Sequence, residues 1–340
     1  MEFSIAAPIA SRRDNMKAAI VMAPGKTPIY GDFAVPTAKA GEELISVRAS
    51  ALSPFSKSRA SGSHYSSDGG FPAVAGVDGV GVKQDGRRVY FVLPEAPFGA
   101  LAEMCPVRSG QCVELPDSLD EITAAAIANP GMSAWAALVE RAHLVAGETV
   151  LVNGATGTAG RLAVQLAKYL GAGKVIATGR NVEELEEVKK LGADIVIPFT
   201  LGALHPSGAN DYENALKQVF ALGINVVVDY LWGESAKTII VAIAKAVEDG
   251  TPVRFVHVGG ASREENIELP GAALRSSAIM LMGSGVKSVR LSVLLQSIGS
   301  VFEAVQPAGL KIATRVVPLS EVEGVWEQAG GTPRLVFSVG

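Results

Sequence analysis

The chain has 340 residues, enough for two domains with a large buried core. Hydrophobic residues make up 48% and charged residues 19%, a balance that suits compact folding and argues against a disordered chain. With 34 acidic against 30 basic residues and no long run of either sign, the composition offers neither a nucleic-acid tract nor a basic patch for a membrane surface.

The opening "MEFSIAAPIASRRDN" places its apolar residues before the basic pair, the reverse of a secretory signal. No uninterrupted apolar run reaches the length of a bilayer span. The first third is β-prone: "KAAIVM", "EELISVRASAL", "VDGVGVK" and "RRVYFVL" are short runs separated by Gly, Pro and Asp turns. Within it "SGSHYSSDGGF" has the polar, glycine-rich composition of a rim loop. Cys105 and Cys112 are too few for a disulfide framework, so they are expected to pack as small apolar residues in a chain kept in a reducing compartment, the cytoplasm. From Leu119 the texture changes. "DEITAAAIANPGMSAWAALVERAHL" is alanine-rich and helix-periodic, with a break expected at Asn129-Pro130. Strand patterns then recur at 150–152, 175–178, 195–198, 226–229 and 253–258, with helices such as 161–170 and 235–247 between them. This alternation predicts an α/β fold, a doubly wound parallel sheet. "AIMLMG", at 278–283, is a candidate sixth strand. The tail "TRVVPLSEVEGVWEQAGGTPRLVFSVG" returns to a strand–helix–strand texture and is read as rejoining the first domain. The division expected is a β-rich domain of residues 1–128 and 286–340, into which a nucleotide-binding domain of residues 129–285 is inserted.

The stretch "VLVNGATGTAGRLAVQLAKYLGAGKVIATGR" runs from a strand through glycines into a helix and back to a strand. Its frame Ala155-x-Gly157-x-x-Gly160 matches the dinucleotide fingerprint G-x-G-x-x-G with alanine first. Gly154 can supply the tight turn, Gly157 can let backbone approach a pyrophosphate, and Gly160 can let the helix pack close. Ala155, Thr156, Gly157, Thr158, Ala159 and Gly160 are therefore the candidate phosphate cradle at a helix start. The alternative is a glycine turn that only packs. About 20 residues further on, an NAD-binding fold carries an acid for the ribose 2′-hydroxyl. This chain has Thr178-Gly179-Arg180-Asn181 there. Arginine's planar fork pairs with phosphate oxygens, so Arg180 points to NADPH, with Gly179 leaving room for the 2′-phosphate. The alternative is an arginine that is merely exposed at a strand end. Glu183 and Glu184 suit the first turn of the following helix.

These pieces resemble the medium-chain dehydrogenase/reductase family, in its zinc-independent, quinone-oxidoreductase-like branch. The resemblance runs from Met16 to the C-terminus through "SPFSKSRASG", "FPAVAGVDGVGV", "GRRVYF", "FGALAEMCPVRSGQCVELPDSL", "AAAIANPGMSAWAAL", the glycine stretch, "LGADIVI", "VVVDYLWG" and "HVGG". It implies a Rossmann domain inserted in a β-rich GroES-like catalytic domain, and a homodimer paired through the last strand of the nucleotide sheet. It also implies further cofactor contacts: Ser133, Tyr230 and Leu231, Val258, Gly259 and Gly260 beside the nicotinamide, and Arg334 in the place of a lysine. Each of these can instead be read as an ordinary turn or packing residue. Zinc alcohol dehydrogenases share the family, but Ser53 and Val77 stand where their cysteine and histidine ligands fall, and neither side chain replaces a thiolate or an imidazole. The four histidines, at 64, 143, 205 and 257, show no ligand spacing, so no metal is expected. Within the zinc-free branch the chain departs from the usual pattern at Ser53 (Asn), Ser58 (Tyr in some relatives) and Ala60 (Arg, with Arg59 one place earlier).

Without a metal, hydride transfer from NADPH to a conjugated acceptor is the least demanding chemistry, because a quinone or enone spreads the arriving charge onto its carbonyl oxygen. Candidate hydrogen-bond or proton donors are Ser53, His64 and Tyr65, each of which can also be read as an ordinary surface residue. The expected activity is reduction of a small quinone or an activated C=C bond. Two other readings share these residues: an enoyl-thioester reductase of polyketide or fatty-acyl type, and an NADPH-binding sensor or structural protein without turnover.

Overall fold

The computed structural model describes residues 14–61, 70–202, 204–328 and 331–340. The chain runs β1 (Asn15–Val21), β2 (Ile29–Ala34), β3 (Glu42–Ala51), α1 (Pro54–Ala60), β4 (Ala73–Val74), β5 (Asp78–Val82), β6 (Arg88–Val92), β7 (Met104–Arg108) and β8 (Cys112–Glu114). There follow α2 (Glu121–Trp135), β9 (Thr149–Asn153), α3 (Thr158–Tyr169), β10 (Lys174–Gly179), α4 (Val182–Lys190), β11 (Ile195–Pro198), α5 (Gly208–Phe220), β12 (Val226–Asp229), α6 (Gly233–Ala246) and β13 (Pro252–His257). The last part holds α7 (Gly271–Arg275), β14 (Ala278–Gly283), α8 (Leu291–Ala304), β15 (Thr314–Pro318), α9 (Val322–Val325) and β16 (Arg334–Ser338).

Two compact units result. One comprises Met1–Cys112, Val316–Gly330 and Leu335–Gly340; the other comprises Val113–Arg315 and Gly331–Arg334. The first is β-rich. β1 pairs antiparallel with β2 and β4, and a larger sheet has the order β15-β16-β3-β5-β6-β8, with β7 also on β3. Its core joins Ile45, Val47, Val89 and Phe91 to Trp326 and Phe337 from the C-terminal tail. The chain's two ends thus bury one another's apolar surface. Cys105 lies in this core, fully buried, where burial pushes its thiol up and keeps it unreactive.

The second unit is a six-stranded parallel sheet of order β11-β10-β9-β12-β13-β14. The order reverses between β9 and β12, the switch point at which such sheets bind ligands outside the strands' carboxyl ends. α5 packs on α6, while α2 packs on α3 and α8. Because strand side chains alternate, Leu151, Ile176, Val227 and Phe255 join the α5–α6 core. α4 shows how local sequence sets an element: the Asn181 side chain accepts the Glu184 N–H at 2.9 Å, acids fill the first turn and Lys189 and Lys190 the last.

The break expected at Asn129-Pro130 does not occur. α2 runs through Pro130 and continues into a π-helical turn, Ala136–Arg141. Proline forfeits one helical hydrogen bond, but Ala124 to Ala128, Pro130 and Gly131 are all buried, so tertiary packing outweighs that loss. By length and composition Glu121–Arg141 could cross a membrane. Burial of its alanine face in the second unit accounts for that hydropathy.

Candidate functional site

β9 delivers the chain into the glycine turn. Gly154 has φ +84°, and a Cβ there would stand 2.9 Å from Leu231 Cδ2, so only glycine fits. The Gly154 and Ala155 N–H groups donate to the Thr178 carbonyl at 3.2 and 2.9 Å, tying the turn to β10. A Cβ on Gly160 would lie 2.3 Å from the Gly154 carbonyl oxygen, so this glycine lets α3 press against the turn. Gly157 differs. As the N-cap of α3 it has φ −71°, open to any residue, and a Cβ would meet nothing nearer than 3.7 Å. Neither backbone nor packing requires glycine there. α3 also begins without a side-chain cap, so no capping side chain satisfies its first N–H groups. That cradle fits a pyrophosphate.

At the end of β10 a second close approach requires glycine. Gly179 is buried, and a Cβ on it would meet Thr156 Cγ2 at 2.9 Å and Leu185 Cδ2 at 3.3 Å. No side chain therefore fits at this position, and the glycine seats the loop on the strand. Arg180 is exposed and makes no hydrogen bond or ion pair with another described residue. Arg161, which the sequence did not single out, reaches back from the first turn of α3. Its Nε donates to the Thr156 carbonyl at 2.8 Å, and its Nη2 lies 3.8 Å from Glu184 Oε2.

The pairing register places Thr178, Asn153, Asp229 and His257 side by side on four strands. Thr178 Oγ1 donates to Asn153 Oδ1 at 2.7 Å, and Asn153 Nδ2 donates to Asp229 Oδ1 at 2.8 Å. His257 Nδ1 lies 2.9 Å from Asp229 Oδ2, and the fully buried Asp229 carboxylate also accepts the Leu231 and Trp232 N–H groups. It thereby holds Trp232, at φ +64°, in a conformation rare for a bulky residue. The Trp232 and His257 rings lie 4.5 Å apart. No sequence motif names this row, although a signal is present: "VLVN", "VIAT", "VVVD" and "RFVH" each carry a polar residue at or next to the end of a strand.

Most of the cofactor candidates converge above this row. Gly154 abuts Leu231 and Tyr230. The Val258 and Gly259 N–H groups donate to the Asp229 carbonyl at 2.7 and 3.3 Å, and a Cβ on Gly259 would be 3.4 Å from the Tyr230 carbonyl oxygen. Gly260 is exposed, with open space beside it. Burial pushes the Tyr230 phenol up, with the Ser133 hydroxyl acting the other way; Ser133 Oγ itself donates to the Pro130 carbonyl at 2.9 Å. Thr158 Oγ1 reaches the Gly331 carbonyl at 3.4 Å. Arg334 lies at the start of β16. It is buried, and its N–H donates to the Ala313 carbonyl.

In the β-rich unit, Ser53 is buried as the N-cap of α1. Its Oγ accepts the Ser56 N–H at 3.0 Å and lies 3.0 Å from Ser56 Oγ. Ser56, not Ser53, lines a cavity of about 300 Å³ whose other walls include Val21, Arg59, Phe71, Val74 and Phe98. His64 and Tyr65 lie outside the described residues. Ser53 and Val77 do not fit zinc: the serine oxygen is engaged by α1, and a buried valine has no lone pair to offer. Among the described residues no three His, Cys, Asp or Glu side chains gather in a metal-binding group.

Comparison with known proteins agrees with this architecture. The family model described as "Zinc-binding dehydrogenase" matches residues 159–290. A protein of Emericella nidulans named "Probable NADPH-dependent quinone reductase" is 29% identical over 88% of this chain and 93% of its own. The "NADPH-dependent alkenal/one oxidoreductase, chloroplastic" of Arabidopsis thaliana is 35% identical over 51% of this chain and 48% of its own. A solved mycobacterial quinone oxidoreductase superposes with a TM-score of 0.80 at 20% identity, covering 95% of this chain and 99% of its own. A mycobacterial protein solved in complex with NADPH gives a TM-score of 0.77 at 21% identity, covering 95% of this chain and 100% of its own. At those identities the solved structures speak to the fold. The chain is thus similar in sequence to NADPH-dependent quinone and alkenal/one oxidoreductases, and its fold is that of the solved quinone oxidoreductases.

Proposed function

We propose that the protein is an NADPH-dependent reductase of quinones or of C=C bonds conjugated to a carbonyl, working without a metal. One observation carries the cofactor choice: the strand end after the glycine turn bears Arg180, exposed and unpaired among the described residues, in place of a carboxylate. Relatives named for quinone and alkenal/one reduction support the acceptor class.

In this reading Gly157 and the first N–H groups of α3 hold the pyrophosphate, Arg180 pairs with the 2′-phosphate, and Val258 to Gly260 flank the nicotinamide. When bound, NADPH supplies a hydride to an electron-poor carbon. The chain must then stabilise charge on a carbonyl oxygen and deliver a proton. Ser53 and Ser56 suit that task as a pair. Ser53 Oγ already accepts the Ser56 N–H, so its own hydrogen is free to go to Ser56 Oγ, which leaves the Ser56 hydroxyl hydrogen to donate into the cavity. The cavity is of a size for a small planar acceptor and is mostly apolar, as expected for a site that binds a ring or an alkene and orients it by one or two polar groups.

The test follows NADPH oxidation against a panel of small quinones, enones and enoyl thioesters. Turnover with quinones or enones at a rate that falls in Ser56→Ala is the expected result. Tight cofactor binding with no turnover on any acceptor would instead leave a binding protein.

A further inference from the structure

We propose that Arg161 is a second cation of the 2′-phosphate site and that Glu184 occupies its guanidinium until the cofactor arrives. The inference rests on the NADPH reading above and extends it to two residues that lie outside the glycine fingerprint.

Arg161 stands in the first turn of α3, immediately after Gly160. Its Nε is fixed by the Thr156 carbonyl at 2.8 Å, so the guanidinium is aimed along the glycine loop, with its two terminal nitrogens left for other partners. One of these faces Glu184 across 3.8 Å. Glu184 lies in the first turn of α4, whose N-cap Asn181 directly follows Arg180. Arg161 thus reaches the β10–α4 turn from α3, and Arg180 flanks the same turn in sequence. In dinucleotide folds that turn meets the ribose 2′ substituent.

The two cations differ in build. Arg180 is exposed. Arg161 is only 17% exposed and pre-oriented by a backbone acceptor, which lowers the ordering cost of pairing with an anion. Its present partner is half exposed and at the long end of ion-pair distance, the kind of contact that contributes little. A phosphate dianion offers shorter, charge-assisted bonds to the same nitrogens and displaces the carboxylate toward solvent. The competing account is that the Arg161–Glu184 pair is a brace between α3 and α4 with no ligand role.

The experiment titrates NADPH, NADH and adenosine 2′,5′-bisphosphate into the wild type, Arg161→Gln, Arg161→Lys and Glu184→Gln, by calorimetry, with melting temperatures recorded for each. Arg161→Gln is expected to weaken NADPH and the bisphosphate about tenfold while leaving NADH unchanged, the loss of one charge-assisted contact. Arg161→Lys should recover part of that loss. Glu184→Gln, a change of a half-exposed residue that the fold tolerates, should tighten NADPH and the bisphosphate several-fold by removing the competitor. An unchanged NADPH-to-NADH ratio in Arg161→Gln, or an equal loss for both cofactors, overturns the proposal in favour of the brace. Weaker NADH binding in Glu184→Gln also overturns it, by showing that the carboxylate serves the ribose. A wild type without preference between the two cofactors is a different failure, that of the NADPH reading itself.

Discussion

Gly157 and Gly160 sit three residues apart in one motif and do different work. The backbone oxygen of Gly154 would be 2.3 Å from a Cβ on Gly160, whereas a Cβ on Gly157 would meet nothing nearer than 3.7 Å. Gly160→Ala should therefore destabilise the nucleotide unit by about 1–3 kcal/mol, the range for forced overpacking and backbone shift. Gly157→Ala should melt close to wild type and lose cofactor affinity, because its methyl intrudes only on the ligand. Thermal melting beside cofactor titration separates the two. Arg180→Ala should weaken NADPH by about 1.5–3 kcal/mol, ten- to a hundredfold, with little change for NADH. The glycines and Arg180 are legible in the sequence because their spacing along the chain is itself the motif. Arg161 is not, because its role depends on which way a side chain turns from α3.

At the scale of elements, the polar row across β10, β9, β12 and β13 concentrates hydrogen bonds on one buried carboxylate. Asp229→Ala leaves the Asn153 amide and the Leu231 and Trp232 N–H groups without their acceptor, at a cost of about 2–4 kcal/mol. Urea unfolding followed by tryptophan fluorescence should show it, and a change within experimental error would mean that water replaces the carboxylate. β14 raises a second question of pairing. It is the outer strand of the parallel sheet, free of proline and charge, and Met280 and Leu281 are each 42% exposed. Such an edge invites pairing, and a two-fold axis would close it with its own copy. Light scattering is expected to give the mass of two chains at micromolar concentration, and Met280→Lys or Met282→Lys to shift it toward one. A single-chain mass for the wild type would refute the dimer; a dimer that survives both substitutions would move the interface elsewhere. α2 carries the complementary lesson. Its Asn-Pro step reads as a helix stop, yet the burial of a small-residue face overrode local propensity.

At the scale of the whole molecule, the positions of zinc ligands in related enzymes hold a capping serine and a buried valine. Purified protein should contain no stoichiometric zinc by elemental analysis, and chelator treatment should leave acceptor reduction unchanged; one tightly held, activity-linked zinc per chain would contradict that.

Local pattern determined the parallel sheet. Apolar runs of strand length alternating with helix-periodic segments have few other ways to bury their faces, and the strands at Ile195–Pro198, Val226–Asp229 and Ala278–Gly283 fall where that pattern places them. The glycine turn was likewise determined, since backbone angle and close approach act on neighbours in the chain. Only the tertiary structure decided the rest. The register of four parallel strands joined Thr178, Asn153, Asp229 and His257, which lie up to 104 residues apart in the chain, into one hydrogen-bonded row. Packing gave the space beside Gly179 to a threonine methyl and turned Ser56, in place of Ser53, toward the cavity. Those outcomes depend on strand register and on side-chain direction across separate elements, and a period read along one chain carries neither.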